Sequence, residues 1–109
     1  MIEVAKYLVR ATYTAEGVQG LRKDGGKGRV EAVGKAVSQL GGEVESFYFA
    51  FGDYDAYVVV DLPDNATAAA LGLAVSGSGA ARTGTVVLLT PAEVDDAVAK
   101  QVGYRPPGG

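Results

Sequence analysis

The chain has 109 residues, 48% hydrophobic and 21% charged, with a formal net charge of −3. These proportions fit one ordinary globular domain, and the acidic balance argues against a nucleic-acid partner. There is no Cys and no His, which excludes disulfides, Ser-His or Cys-His nucleophiles, Cys/His zinc sites and His- or Cys-ligated haem.

The start, Met1 to Lys6, has an early acid and no long apolar run, so it does not read as a secretory signal. Ala5 to Tyr13 alternates as a strand: Tyr7, Val9, Ala11 and Tyr13 on one side, Leu8, Arg10 and Thr12 on the other. Thr14 is placed to cap a helix, with Glu16 favourable near its N-terminus. A first helical piece is expected as far as Lys23, where Asp24-Gly25-Gly26-Lys27-Gly28 breaks or kinks it. Val30, Val33, Val37 and Leu40 then form the apolar stripe of a stronger helix, ended by Gly41-Gly42. Two runs rich in aromatic and β-branched residues follow, Glu43 to Phe51 and Tyr54 to Asp61, joined by Gly52-Asp53 as in a hairpin. Pro63-Asp64-Asn65 breaks the strand and caps a second helix, Ala66 to Ser76, with Gly77-Ser78-Gly79 as its exit. Thr83 to Leu89 is a fourth strand. Thr90-Pro91-Ala92-Glu93 is a capping box that opens a third helix reaching Val102, with Val94, Ala97 and Val98 facing inward. An extended tail, 103–109, completes the chain.

This order predicts an α+β, ferredoxin-like βαββαβ fold over residues 1–109 as a single domain. It has one four-stranded antiparallel sheet, both crossover helices on one face, and a short C-terminal helix. From Asn65 to Ala92 the only charge is Arg82, but Gly77, Ser78 and Gly79 interrupt the stretch and Ala outnumbers Leu. No membrane association is expected, and a cytoplasmic protein is the default.

A two-residue turn pairs Phe51 with Tyr54, Phe49 with Ala56 and Phe47 with Val58, which puts Phe47 and Phe49 beneath the helices. On the other face Tyr48 opposes Tyr57, Ser46 opposes Val59, and Ala50 opposes Asp55. Arg10 under the helices would be a buried unpaired charge, so it belongs on the open face with these tyrosines. That face is too apolar to be merely solvated, and the second helix has no charge on any side. Both features predict a homo-oligomer, at least a dimer.

The segments Lys6-Tyr7-Leu8, Leu40-Gly41-Gly42, Glu45 through Asp55, Leu62-Pro63-Asp64-Asn65, Arg82-Thr83 and Leu89-Thr90-Pro91-Ala92-Glu93 carry a family likeness. On them the chain resembles the GYD-domain family over nearly its whole length. Where the family's name reflects Gly-Tyr-Asp, this chain interposes Asp53 to give Gly52-Asp53-Tyr54-Asp55. The resemblance implies a ferredoxin-like fold related to dimeric α+β barrels, and no particular activity. Such barrels include monooxygenases, polyketide cyclases and ligand-binding domains of transcription regulators.

Gly25-Gly26-Lys27-Gly28-Arg29 lacks phosphate-loop spacing and reads as a helix break. Asp53 and Asp55 are turn residues rather than a cation site, and Glu43 and Glu45 are solubilising charges on an edge strand. No metal and no cofactor are expected. Arg10, Tyr48, Tyr57 and Asp55 form the candidate ligand site. Arg10 would hold an anionic or carbonyl oxygen, the tyrosines would stack or donate hydrogen bonds, and Asp55 would orient Arg10 or accept a proton. The favoured reading is a small oligomeric ligand-binding or accessory protein. The alternatives are a cofactor-independent enzyme acting on an aromatic or enolisable small molecule in a cavity behind the open face, and a purely structural assembly module.

Overall fold

Strict alternation along β1 (Ala5–Tyr13) builds the centre of the sheet. Tyr7, Val9 and Ala11 are buried on one side, while Leu8 and Arg10 stay half-buried on the other. The structure, a computed structural model, describes residues 4–109. Met1, Ile2 and Glu3, part of the start read as non-secretory, lie outside the described residues. β2 (Glu43–Phe49), β3 (Ala56–Leu62) and β4 (Ala81–Leu88) complete an antiparallel sheet in the order β2-β3-β1-β4. α1 (Ala15–Gln39) and α2 (Asn65–Gly77) pack on one face, and α3 (Pro91–Ala99) follows β4. This is the ferredoxin-like βαββαβ arrangement with a C-terminal helix.

The barrel implied by the family likeness is not formed: the sheet is not closed. β2 and β4 are separate, free edges of one open sheet. Four strands are about half the number needed to close even a small barrel.

Local chemistry sets the element ends. The Thr14 hydroxyl accepts the Gly17 N–H, and the Asp64 carboxylate accepts the Thr67 N–H at 2.8 Å. The two hydrogen bonds from Thr67, side chain and backbone, hold the Asp64 carboxyl below its ordinary pKa. The capping box at Thr90 and Glu93 forms both of its bonds. At Gly25 the backbone takes φ 76° and ψ 167°, a conformation open essentially to glycine alone, and α1 turns a corner there.

The hairpin register holds and its turn does not. Phe49 faces Ala56, Tyr48 faces Tyr57 and Phe47 faces Val58, as expected. The strands stop at Phe49 and Ala56, so the connection runs from Ala50 to Asp55 and Phe51 is fully exposed. The Asp55 N–H leaves the hairpin to donate to the Ala11 carbonyl at 2.8 Å, which opens the tight turn. A bulge at Glu45 shifts the register between Val44 and Ser46. It lets Val44 and Phe47, three residues apart, both pack against the core.

α3 is a second departure. Its residues are all exposed, Val94, Ala97 and Val98 included, and it ends at Ala99 rather than Val102. α2 already lies over β4 on the helical face, so no sheet surface remains there for α3. The radius of gyration, 16.9 Å, exceeds the roughly 13 Å of a compact domain of this length because α3 and the tail project. No helix among the described residues is long and apolar enough to cross a membrane.

Phe47 touches both parts of the core, whereas Phe49 is 41% exposed on the edge strand. Phe47→Ala is therefore expected to cost about 3 kcal/mol and Phe49→Ala about 1–2 kcal/mol. Urea unfolding of the two variants against wild type measures the difference; equal losses would contradict it.

Candidate functional site

The open face is ordered in rows across the strands. One row runs Ser46, Val59, Leu8, Val86; the next runs Tyr48, Tyr57, Arg10, Gly84. At the far end Lys6 Nζ donates to Glu45 Oε2 at 2.7 Å and to Asp61 Oδ1 at 2.8 Å. Hydrogen bonds first to Asp61 and then to Glu45 hold the Lys6 ammonium above its ordinary pKa. The bulge delivers Glu45 to this cluster, so Glu45 has a partner beyond the solubilising role read from sequence.

Arg10 is treated differently. Among the described residues no carboxylate lies within ion-pairing distance of it, and its buried Nε has no hydrogen-bond partner. Its guanidinium carbon sits 4.5 Å from the centre of the Tyr54 ring, and Tyr54 meets Tyr57 edge-on at 6.0 Å. Tyr57 is the cross-strand neighbour of both Arg10 and Tyr48. Three of the four predicted residues thus share one row. Asp55 does not join them: its Oδ2 accepts the Tyr13 N–H at 2.9 Å. Tyr54 was missed because a two-residue turn would have aimed it with Phe51 towards the helices.

The loop around Gly52-Asp53-Tyr54-Asp55 grips the end of β1. Thr12 Oγ1 donates to the Asp53 carbonyl at 3.1 Å, Asp55 binds the backbone of Ala11 and Tyr13, and Tyr54 lies under Arg10.

The helical face holds what sequence reasoning did not find. α1 packs mainly on β2 and α2 mainly on β4, which leaves a trough over the central strands. An apolar cavity of about 320 Å³ occupies it. Its floor is Val9, Ala11, Ala56 and Val58. Val33 and Ala36 of α1 form one wall; Leu71, Ala74 and Val75 of α2 form the other. Gly17, Gly20 and Leu21, in the part of α1 before the kink, close one end. The side chains at that wall and end are too small or too few to fill the space. A Cβ at Gly20 would meet no heavy atom within 4 Å, whereas one at Gly17 would overlap the Ala80 carbonyl.

The polar groups lining the cavity are Tyr13, Glu16, Arg29, Ser78 and Thr83. Burial pushes the Tyr13 hydroxyl pKa up, and the Arg29 charge pulls against it. This cavity lies on the side of the sheet opposite to the open face, behind which the sequence predicts one. A second recess of about 380 Å³ between Gly41, Glu43 and Asp61 is polar and shallow. Among the described residues no three metal-ligating side chains gather.

Fold and cavity together define a ferredoxin-like α+β protein with a ligand-sized interior. The chain belongs to the GYD domain family, whose model matches residues 7–98. No curated protein and no solved structure matches it.

Arg10→Met removes a half-buried cation that has no acidic partner among the described residues. Chemical unfolding is expected to change by less than about 1 kcal/mol, with the lost stacking on Tyr54 offset by relief of the unpaired Nε. A loss well above that would reveal a partner for Arg10.

Proposed function

We propose that this is a small-molecule-binding protein that works as a homo-oligomer, with the helical-face cavity as its ligand site. The cavity itself carries the reading. Its volume lies in the range of natural ligand pockets, its walls are apolar, and a few polar groups converge on it. An accessory role, delivering or sensing the compound, requires nothing more of the chain.

A second reading keeps Arg10, Tyr54, Tyr57 and Tyr48 as an anion-contacting row on the open face. The unpartnered Nε of Arg10 supports it. The enzymatic alternative is weaker. It needs Asp55 or a tyrosine as base, and Asp55 is held by a backbone amide while burial raises the Tyr13 pKa.

Assembly is supported by apolar groups left uncovered on several sides. Leu73 on α2 is 74% exposed, Val98 on α3 is 78% exposed, and Tyr48 on the open face is 72% exposed. Sedimentation equilibrium at micromolar concentration is expected to give at least a dimer mass; a monomer would refute the assembly.

Gly20→Leu tests the cavity. Gly20 is exposed at the cavity's end, where a Cβ meets no heavy atom within 4 Å, so a leucine there can fold over the opening. Replacing a helical glycine also favours the helix by about 1 kcal/mol. The variant is expected to melt higher than wild type and to lose binding of a neutral apolar fluorophore such as Nile red. Wild-type protein that binds no such dye, or a variant that binds it equally, would overturn the reading.

A further inference from the structure

The cavity's shape and Arg29, the one cation lining it among the described residues, together specify a ligand class. About 320 Å³ at roughly 30 Å³ per water-sized group holds about ten non-hydrogen groups. The space is a trough between two helices with an uncharged floor, so it suits an elongated apolar body. Two lining residues carry opposite charges, Arg29 and Glu16. Glu16 sits in the first turn of α1, where the helix N-terminus already favours its charge. Arg29 is less committed. It pairs with Asp24, but at 3.7 Å, beyond hydrogen-bond length, so its N–H donors are not used up by that carboxylate. Tyr13 lines the same cavity and supplies a hydroxyl donor.

We propose that the cavity binds a medium-chain monocarboxylate, its chain lying over Val9, Ala11 and Val58 and its carboxylate held by Arg29 and the Tyr13 hydroxyl. This rests on the ligand-binding reading above and adds the head-group chemistry. A planar guanidinium and a hydroxyl lining one cavity are donors that suit the two oxygens of a carboxylate. An alcohol of equal length would fill the same trough without the charge-assisted bonds. An amine would meet Arg29 as a like charge.

The test is calorimetric titration of octanoate, 1-octanol and octylamine into the full chain at pH 7, for wild type, Arg29→Met and Tyr13→Phe. Circular dichroism confirms that each variant is folded. Octanoate is expected to bind wild type about tenfold more tightly than 1-octanol. Arg29→Met should erase that preference and leave 1-octanol binding unchanged; Tyr13→Phe should reduce it in part. Equal affinities for octanoate and 1-octanol, a preference that survives Arg29→Met, or tightest binding of octylamine would overturn the head-group assignment and leave the cavity as a ligand site. Failure of all three probes to bind folded wild-type protein would overturn the ligand-binding reading as well.

Discussion

The corner at Gly25 governs the helical half of the molecule. Before it, the Ala15–Asp24 stretch is held at one end by Gly17 against Ala80, beside β4. Beyond it, Gly26 lies against the Phe49 ring on β2. That stretch is about 15 Å long at a rise of ~1.5 Å per residue. Four strands at ~4.8 Å spacing span roughly 14 Å. The first part of α1 therefore crosses the end of the sheet from one edge to the other, and the second part runs back over β2. A residue with a Cβ at position 25 would strain that corner, and a straight helix would leave the trough without its end wall.

The trough is apolar and underfilled, and both properties come from small residues. Ala11, Ala36, Ala56 and Ala74 line it where larger side chains would interdigitate. The larger core residues Tyr7, Leu62 and Val37 cluster towards the opposite end of β1. Packing is thus divided along the sheet: a filled core at the Ala5 end of β1, an open interior at the Tyr13 end. The division supports the proposed binding role, because the filled end can hold the fold while the open end keeps its space.

Charge on the open face is divided along the same axis. Lys6, at the filled end, is bonded to two carboxylates. Arg10, one turn of the pleat beyond Leu8, has only an aromatic ring. The signature loop from Gly52 to Asp55 makes this difference. It spends its Asp55 carboxylate on the backbone of β1 and offers Arg10 the Tyr54 face instead. An exposed ammonium bonded to carboxylates keeps its hydration, whereas a guanidinium with a buried, unpaired Nε does not. The Arg10 end is accordingly where a further hydrogen-bond acceptor would gain most.

Much of the fold was legible because its signals are local. Period-two alternation defined β1, side-chain caps marked Thr14, Asp64 and Thr90, and glycines located the kink and exits; each acts within a few residues. The pairing of Phe47, Phe49, Tyr48 and Tyr57 was legible for the same reason, and so was the face that Arg10 occupies. What the sequence did not determine involves competition between distant groups. The turn at Gly52-Asp53 opened because the end of β1 offered Asp55 other hydrogen bonds. The bulge at Glu45 arose because Val44 and Phe47 both needed the core. α3 stayed outside because α2 had taken its place over β4. The cavity was invisible in the chain because it is a volume left between small residues from five elements. Only the tertiary arrangement of those elements sets its size, and only that arrangement brings Arg29 and Tyr13 to one cavity.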